Sequence, residues 1–242
     1  MILSLYNFQW IQIVFLLSIF YSNSLIGQKH IKKGDLLYKE RFSNSLDSFV
    51  IEQVEGGTTK IENGKLEVID KKGCTIWLTK QFEGPVVIEY DVKFISDGGL
   101  YDRVSDMNVF WMATDPERPD DFFGNKERDG RFKTYTPLQL YYVGYGANNN
   151  KTTRFRRYDG KGNKPLLPEH DLKDERFILK AGKKYHVKLV ACDETIQYYC
   201  NGVLVFDIHD PHPFTKGYFG FRINEAHQLI DNLRVFRAVC KK

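Results

Sequence analysis

Three stretches of the chain repeat polar or aromatic side chains at every second position. Residues 152–158 carry Thr152, Arg154, Arg156 and Tyr158 on one side of an alternation. Residues 106–114 carry Asp106, Asn108, Phe110 and Met112, just after Arg103, and residues 138–145 carry Gln139, Tyr141, Val143 and Tyr145. The Gly-Tyr-Gly-Ala-Asn-Asn-Asn loop of residues 144–150 adds Asn148. Alternate residues of an extended strand share a face, so each stretch offers a stripe rich in Arg, Tyr, Asn and Gln. Such a stripe suits an anionic sugar, because a guanidinium holds a carboxylate through two charge-assisted hydrogen bonds. The C5 proton of a uronate becomes removable once its carboxylate is neutralised. A tyrosine or neutral histidine then takes that proton, or protonates the departing 4-linked oxygen. On this reading Arg103, Asp106, Asn108, Gln139, Asn148, Arg154 and Arg156 bind substrate. Tyr141, Tyr145 and His170 are the candidate bases and acids of a β-elimination.

These residues need strands to position them, and the sequence has little else. Short period-two runs follow one another, separated by Gly, Asn, Asp and Pro. Residues 86–94 alternate cleanly, with Val86, Ile88, Tyr90, Val92 and Phe94 on one side and Val87, Glu89, Asp91 and Lys93 on the other. Asn63-Gly64 and Asn201-Gly202 are hairpin turns. About a dozen strands without an internal repeat imply an all-β fold of two antiparallel sheets. Within 138–145 the expectation is that Leu138, Leu140 and Tyr142 face the core. Two long polar loops, 115–136 and 159–173, would wall a groove, and loops of that length are usually functional.

Composition agrees with a globular β protein. Apolar residues make up 42% and aromatics 14% of the 242, and the formal net charge is +4. That charge is too small and dispersed for nucleic acid but compatible with an anionic polymer. Residues 1–27 contain no charged side chain, and residues 11–20 form a short apolar run followed by small polar residues. This reads as a signal peptide over 1–27, leaving residues 28–242 as one exported domain, secreted or periplasmic and free of the membrane after cleavage. The cysteines Cys74, Cys192, Cys200 and Cys240 all lie in the exported part, where disulfides are permitted. Their pairing is left open, and their spacing fits no zinc motif.

Several segments resemble known proteins. Residues 37–42 (Leu-Tyr-Lys-Glu-Arg-Phe), the Asn63-Gly64-Lys65-Leu66 turn, and the closing Gly217-Tyr218-Phe219-Gly220-Phe221-Arg222 and Asp231-Asn232-Leu233-Arg234-Val235-Phe236 resemble the concanavalin A-like jelly roll of carbohydrate-active proteins. Residues 101–116, Tyr142-Val143-Gly144-Tyr145-Gly146 and Leu166-Leu167-Pro168-Glu169-His170-Asp171 resemble an uncharacterised secreted family of polysaccharide-degrading Bacteroidota. The resemblance implies a jelly-roll β-sandwich that acts on a polysaccharide or oligosaccharide; the family brings no activity with it. Similar polysaccharide lyases place Arg, Gln or Asn, His and Tyr on adjacent strands, which supports the β-elimination reading by residue type alone. The first alternative is a glycoside hydrolase, which needs two carboxylates across the bond. Glu89-x-Asp91 resembles the Glu-x-Asp-x-x-Glu pattern of jelly-roll glycosidases, but Phe94 stands where the third acid belongs. Asp102 and Asp106 form a second pair, best read as orienting Arg103. The other alternative is a non-catalytic carbohydrate-binding domain using the same groove. No cofactor is required by these chemistries; a structural or catalytic calcium is compatible with the fold. His209 and His212 sit among prolines in a turn, a poor metal site. Trp111 alternates with Met107, Val109 and Ala113 as a core residue would, whereas Trp77 is a candidate for stacking on a sugar.

Overall fold

The computed structural model of the chain describes residues 31–240. The proposed signal peptide lies outside them, and among the described residues no helix is long and apolar enough to cross a membrane. Sixteen strands follow one another: β1 Lys32–Glu40, β2 Phe49–Gln53, β3 Thr58–Glu62, β4 Lys65–Ile69, β5 Cys74–Leu78, β6 Phe82–Glu83, β7 Val86–Phe94 and β8 Met107–Thr114, then β9 Gln139–Gly146, β10 Thr152–Asp159, β11 Asp171–Leu172, β12 Lys184–Cys192, β13 Thr195–Cys200, β14 Val203–His209, β15 Lys216–Ile223 and β16 His227–Val239. They form two antiparallel sheets. The first has the order β14-β13-β12-β7-β16-β4-β3, with β1 along β16. The second has the order β11-β10-β9-β8-β15-β5-β2, with β6 on β15.

The main core lies between the sheets. Ile88, Tyr90 and Val92 of β7 enter it from the first sheet; Val109 and Trp111 of β8 and Tyr141, Val143 and Tyr145 of β9 enter it from the second. The outer face of the second sheet also carries an apolar cluster. Trp77, Phe110, Leu140, Tyr142 and Tyr158 form a second cluster there, capped by Phe122 and Tyr135 from the 115–136 segment. The functional stripe expected on β9 is therefore reversed: Tyr141, Val143 and Tyr145 point inward, and Leu140 and Tyr142 point outward. Both sets of alternate side chains are apolar or aromatic, so the hydrophobic pattern does not say which face is the core, and a one-residue error exchanges them. Met112 departs from its expected stripe as well. Its positive φ of 52° accompanies a register shift after Trp111, and it joins Trp111 in the main core. Such a bulge re-aims side chains.

Cys192 and Cys240 form a disulfide that ties the end of β12 to the end of the described chain, with Cα atoms 5.8 Å apart. Cys74 and Cys200 are free and buried. Burial pushes both thiols up to about 12, so neither is a ready nucleophile.

Candidate functional site

Strand register brings four sequence-distant residues into one row on the outer face of the second sheet. Arg154 of β10 pairs with Gly144 of β9, Gly144 with Asn108 of β8, and Asn108 with Arg222 of β15. The next row is aromatic: Phe110 pairs with Tyr142, and Arg156 flanks Tyr142 on β10. Gly144 is the gap in the polar row. A Cβ there would lie 2.2 Å from the Tyr142 hydroxyl and 3.1 Å from Asn108 Oδ1, so only glycine lets these groups converge. The result is a pocket of about 270 Å³ whose lining includes Asn108, Tyr142, Arg154 and Arg222, with Phe132 on one wall.

Asp106, Asn148, Ala147 and Asn224 complete the rim. Asn148, Asn149 and Asn150 all have positive φ, between 55° and 59°. Asparagine tolerates this conformation best among residues with a Cβ. Asn150 pins the turn by donating to the Leu179 carbonyl at 2.8 Å and accepting from the Leu179 amide at 2.7 Å. Arg103 stands just behind the rim. It bridges Asp106 Oδ2 at 2.9 Å, the carbonyls of Asn224 and Glu225 at 2.7 and 2.8 Å, and the side chain of Asn149. It thus positions the rim without lining the pocket.

Of the residues singled out from sequence, Asp106, Asn108, Asn148 and Arg154 come together here. Arg154 also donates to Asp171 at 2.7 Å. Arg156 is adjacent and donates to the Lys164 carbonyl. Gln139 lies at the far end of β9, accepting from Thr114 at 3.3 Å. The three candidate bases are elsewhere. The Tyr141 hydroxyl donates to Asp210 at 2.6 Å and accepts from the Phe214 amide at 3.1 Å. Burial and that carboxylate push it far above the ordinary tyrosine range. Tyr145 is buried against Tyr185 and Tyr198. His170 packs edge-on to Phe155 and Phe206, on the core side of β10, and burial lowers its pKa. None of them lines this pocket.

The sequence reading missed Tyr142, Arg222, Phe132 and Asn224. Lys164 holds Phe132 and Tyr158 beneath its ammonium at 5.0 and 5.4 Å and donates to Thr136 at 2.7 Å. Tyr142 could have been found as the residue two before Gly144 on the same face, had Gly144, which stands opposite Asn108 and Arg154, been read as a gap beside it. Burial and the Asp106 carboxylate raise its pKa, while Arg222, Arg156 and Arg154 oppose them. Arg222 is 1% exposed. Its Nη1 donates to the carbonyls of Cys74 and Ile223, both at 2.9 Å.

The other carboxylates proposed from sequence are occupied. Glu89 and Asp91 lie on the outer face of the first sheet. Glu89 binds Lys33 at 3.0 Å, and Asp91 binds His186 and Lys184 at 2.8 and 2.9 Å. Asp102 binds His227 at 2.9 Å. Asp210 takes Tyr141 and Arg157, which removes it from any metal site with His209 or His212. No group of three or more His, Cys, Asp or Glu able to share an ion occurs among the described residues. Trp77 donates to Glu52 at 2.9 Å and is fully buried, which leaves it no face for a sugar.

Two antiparallel sheets packed face to face in this order define a concanavalin A-like jelly-roll β-sandwich. The chain belongs to the DUF6250 family, a domain of unknown function, whose model matches residues 68–233. No curated protein matches it. Among solved structures it is similar to a Bacillus subtilis protein of unknown function with a galectin-like fold: 19% identity and TM-score 0.67, covering 87% of this chain and all of that one. It is also similar to the carbohydrate binding module CBM66 from B. subtilis, at 16% identity and TM-score 0.53, covering 78% and 95% of the two chains. The endo-β-1,3-glucanase from Pyrococcus furiosus matches at 13% identity and TM-score 0.52, covering 85% and 95%. At these identities the likeness is one of fold.

Proposed function

We propose that the protein is carbohydrate-active and engages a glycan in the pocket between Arg154 and Arg222. The observation that carries this reading is the juxtaposition of Asn108, Tyr142 and Asn148 with the Phe132 ring over a glycine-made gap. Hydroxyl-rich ligands need dense donors and acceptors, and sugar rings need an aromatic wall. The buried Asn108 Oδ1 has no hydrogen-bond partner, so it is an acceptor waiting for a donor. Similar folds named for carbohydrate binding and for glucan cleavage support the same substrate class.

Glycoside hydrolysis is the second reading, and the glucanase of the same fold favours it over β-elimination. It requires a second carboxylate besides Asp106 to come into play with substrate bound. β-Elimination keeps the arginines, but its base would have to be Tyr142 rather than Tyr141 or Tyr145. One experiment separates the three. The purified protein is incubated with a panel of neutral and acidic polysaccharides while retention in affinity gels, new reducing ends and absorbance near 235 nm are followed. Retention abolished by Asn108→Ala, without either product signal, is the expected result. New reducing ends alone would establish hydrolysis, a rise at 235 nm elimination. Absence of all three across the panel would refute the proposal.

A further inference from the structure

We infer that the sugar unit seated in this pocket carries an anionic group, a carboxylate or a sulfate ester; the inference rests on the glycan reading above and names its substrate class. Three guanidiniums, Arg154, Arg156 and Arg222, act on the Tyr142 hydroxyl; Arg154 is paired with Asp171 at 2.7 Å, and the carboxylate that lines the pocket is that of Asp106. That carboxylate is already committed. Its Oδ2 accepts from Arg103 at 2.9 Å and from Ser105 at 2.5 Å, and its Oδ1 accepts from the Asn108 amide at 3.2 Å.

Arg222 is the sharper observation. It is buried, it lines the pocket, and its Nε has no hydrogen-bond partner. Its two hydrogen bonds from Nη1 go to neutral carbonyls, and among the described residues it belongs to no salt bridge; Asp70 acts on it only at longer range. A buried guanidinium without a direct counter-charge is costly, and an arriving oxyanion would supply one. The planar fork of an arginine fits a carboxylate or sulfate better than it fits hydroxyls. Arg154, at the other end of the row, is partly open, with 26% of its side chain exposed. The unpaired Asn108 Oδ1 between them would accept from a sugar hydroxyl. Donors at the ends and an acceptor in the middle describe an acidic sugar rather than a free anion.

The test is a titration of the intact protein with polygalacturonate, alginate, hyaluronan and chondroitin sulfate. Each is paired with its carboxyl-reduced or desulfated counterpart, and laminarin serves as a neutral glycan. Binding to at least one acidic polymer is expected, falling tenfold or more when its acid group is removed. Carboxyl reduction and desulfation, applied separately, tell the two sources apart. Arg154→Gln should weaken binding about tenfold, whereas Arg176→Gln, an exposed arginine paired with Asp174, should leave it unchanged and so control for bulk charge. Arg154 is chosen because replacing buried Arg222 risks the fold; thermal melting verifies that the variant is folded. Equal loss in both variants would overturn the inference, as would undiminished binding after acid removal. Tight binding of laminarin in this pocket, lost in Asn108→Ala, would overturn it and leave glycan recognition standing. Binding of none of the polymers would overturn both.

Discussion

Arg154 and Arg222 stand in one cross-strand row with only Gly144 and Asn108 between them. Three strand spacings of about 4.8 Å put their backbones roughly 14 Å apart. The vacancy depends on residue 144 having no side chain. Gly144→Ala would drive a methyl group against the Tyr142 hydroxyl, 2.2 Å away. The hydroxyl is the end of a long side chain and can yield, so the cost should be about 1 kcal/mol, at the low end for overpacking. Glycan binding should fall tenfold or more while the melting temperature moves by only a few degrees. Unchanged affinity in calorimetry would remove Tyr142 and Gly144 from the site.

The neighbours Tyr141 and Tyr142 should separate stability from binding. Tyr141→Phe deletes the hydrogen bond to Asp210 and leaves the Phe214 amide without its acceptor. The expected loss is about 2 kcal/mol, seen as a lower denaturation midpoint, with affinity retained. Tyr142→Phe should do the opposite, melting like the parent and binding weakly. A matched loss of stability in both variants would contradict the face assignment.

That contrast also marks how far the sequence could be read. The all-β class, the two-sheet architecture and the bounds of β7 follow from clean alternation, because on β7 one set of residues is apolar and the other, after Val87, is charged. On β9 both sets are apolar, since the 115–136 segment lays Phe122 and Tyr135 over the outer face and creates a second core. Periodicity carries no sign in that case, and Tyr141 was exchanged for Tyr142. Arg154, Asn108 and Asp106 were legible because polar residues stand out within apolar strands. Arg222 was not, because reading it as site-lining requires knowing that β15 lies beside β8, a pairing across more than a hundred residues.

The covering segment is fastened to the sheet by a buried ion pair from Arg128 to Glu52, and Arg128 Nη1 also lies 3.7 Å from Asp115 within the segment. Arg128 Nε donates to Glu52 Oε1 at 2.9 Å, and Glu52 Oε2 accepts from Trp77 at 2.9 Å. Arg128 also donates to the Phe122 carbonyl and lies over the Phe122 ring, 4.3 Å from its centre. Arg128→Met would leave Glu52 buried with half its partners, at a cost of about 3–5 kcal/mol. Limited proteolysis should then cut within residues 115–136, and a glycan whose pocket includes Phe132 should bind less well. A variant as protease-resistant as the parent would show that the aromatic cluster alone holds the segment.

On the first sheet, His227 lies between two carboxylates, with Nδ1 2.9 Å from Asp102 and Nε2 2.9 Å from Glu67. Both contacts are hydrogen bonds only when both ring nitrogens carry protons. Burial works against the charged carboxylates, but His227 and Lys60 hold Glu67 below its ordinary value. The Gly99 amide and His227 do the same for Asp102. The folded chain therefore releases these protons more readily than the unfolded chain, which binds them at ordinary carboxyl values near 4. Unfolding takes up protons in that window, so the stabilisation is complete above about pH 5 and is lost as pH falls through the folded values. Urea midpoints between pH 7 and pH 3 should trace this decline. His227→Gln removes the imidazole partner of both carboxyls, returns them toward ordinary values and should give a shallower acid limb. Parallel acid limbs for parent and variant would assign the acid sensitivity to other ion pairs, such as Asp91 with His186 and Lys184.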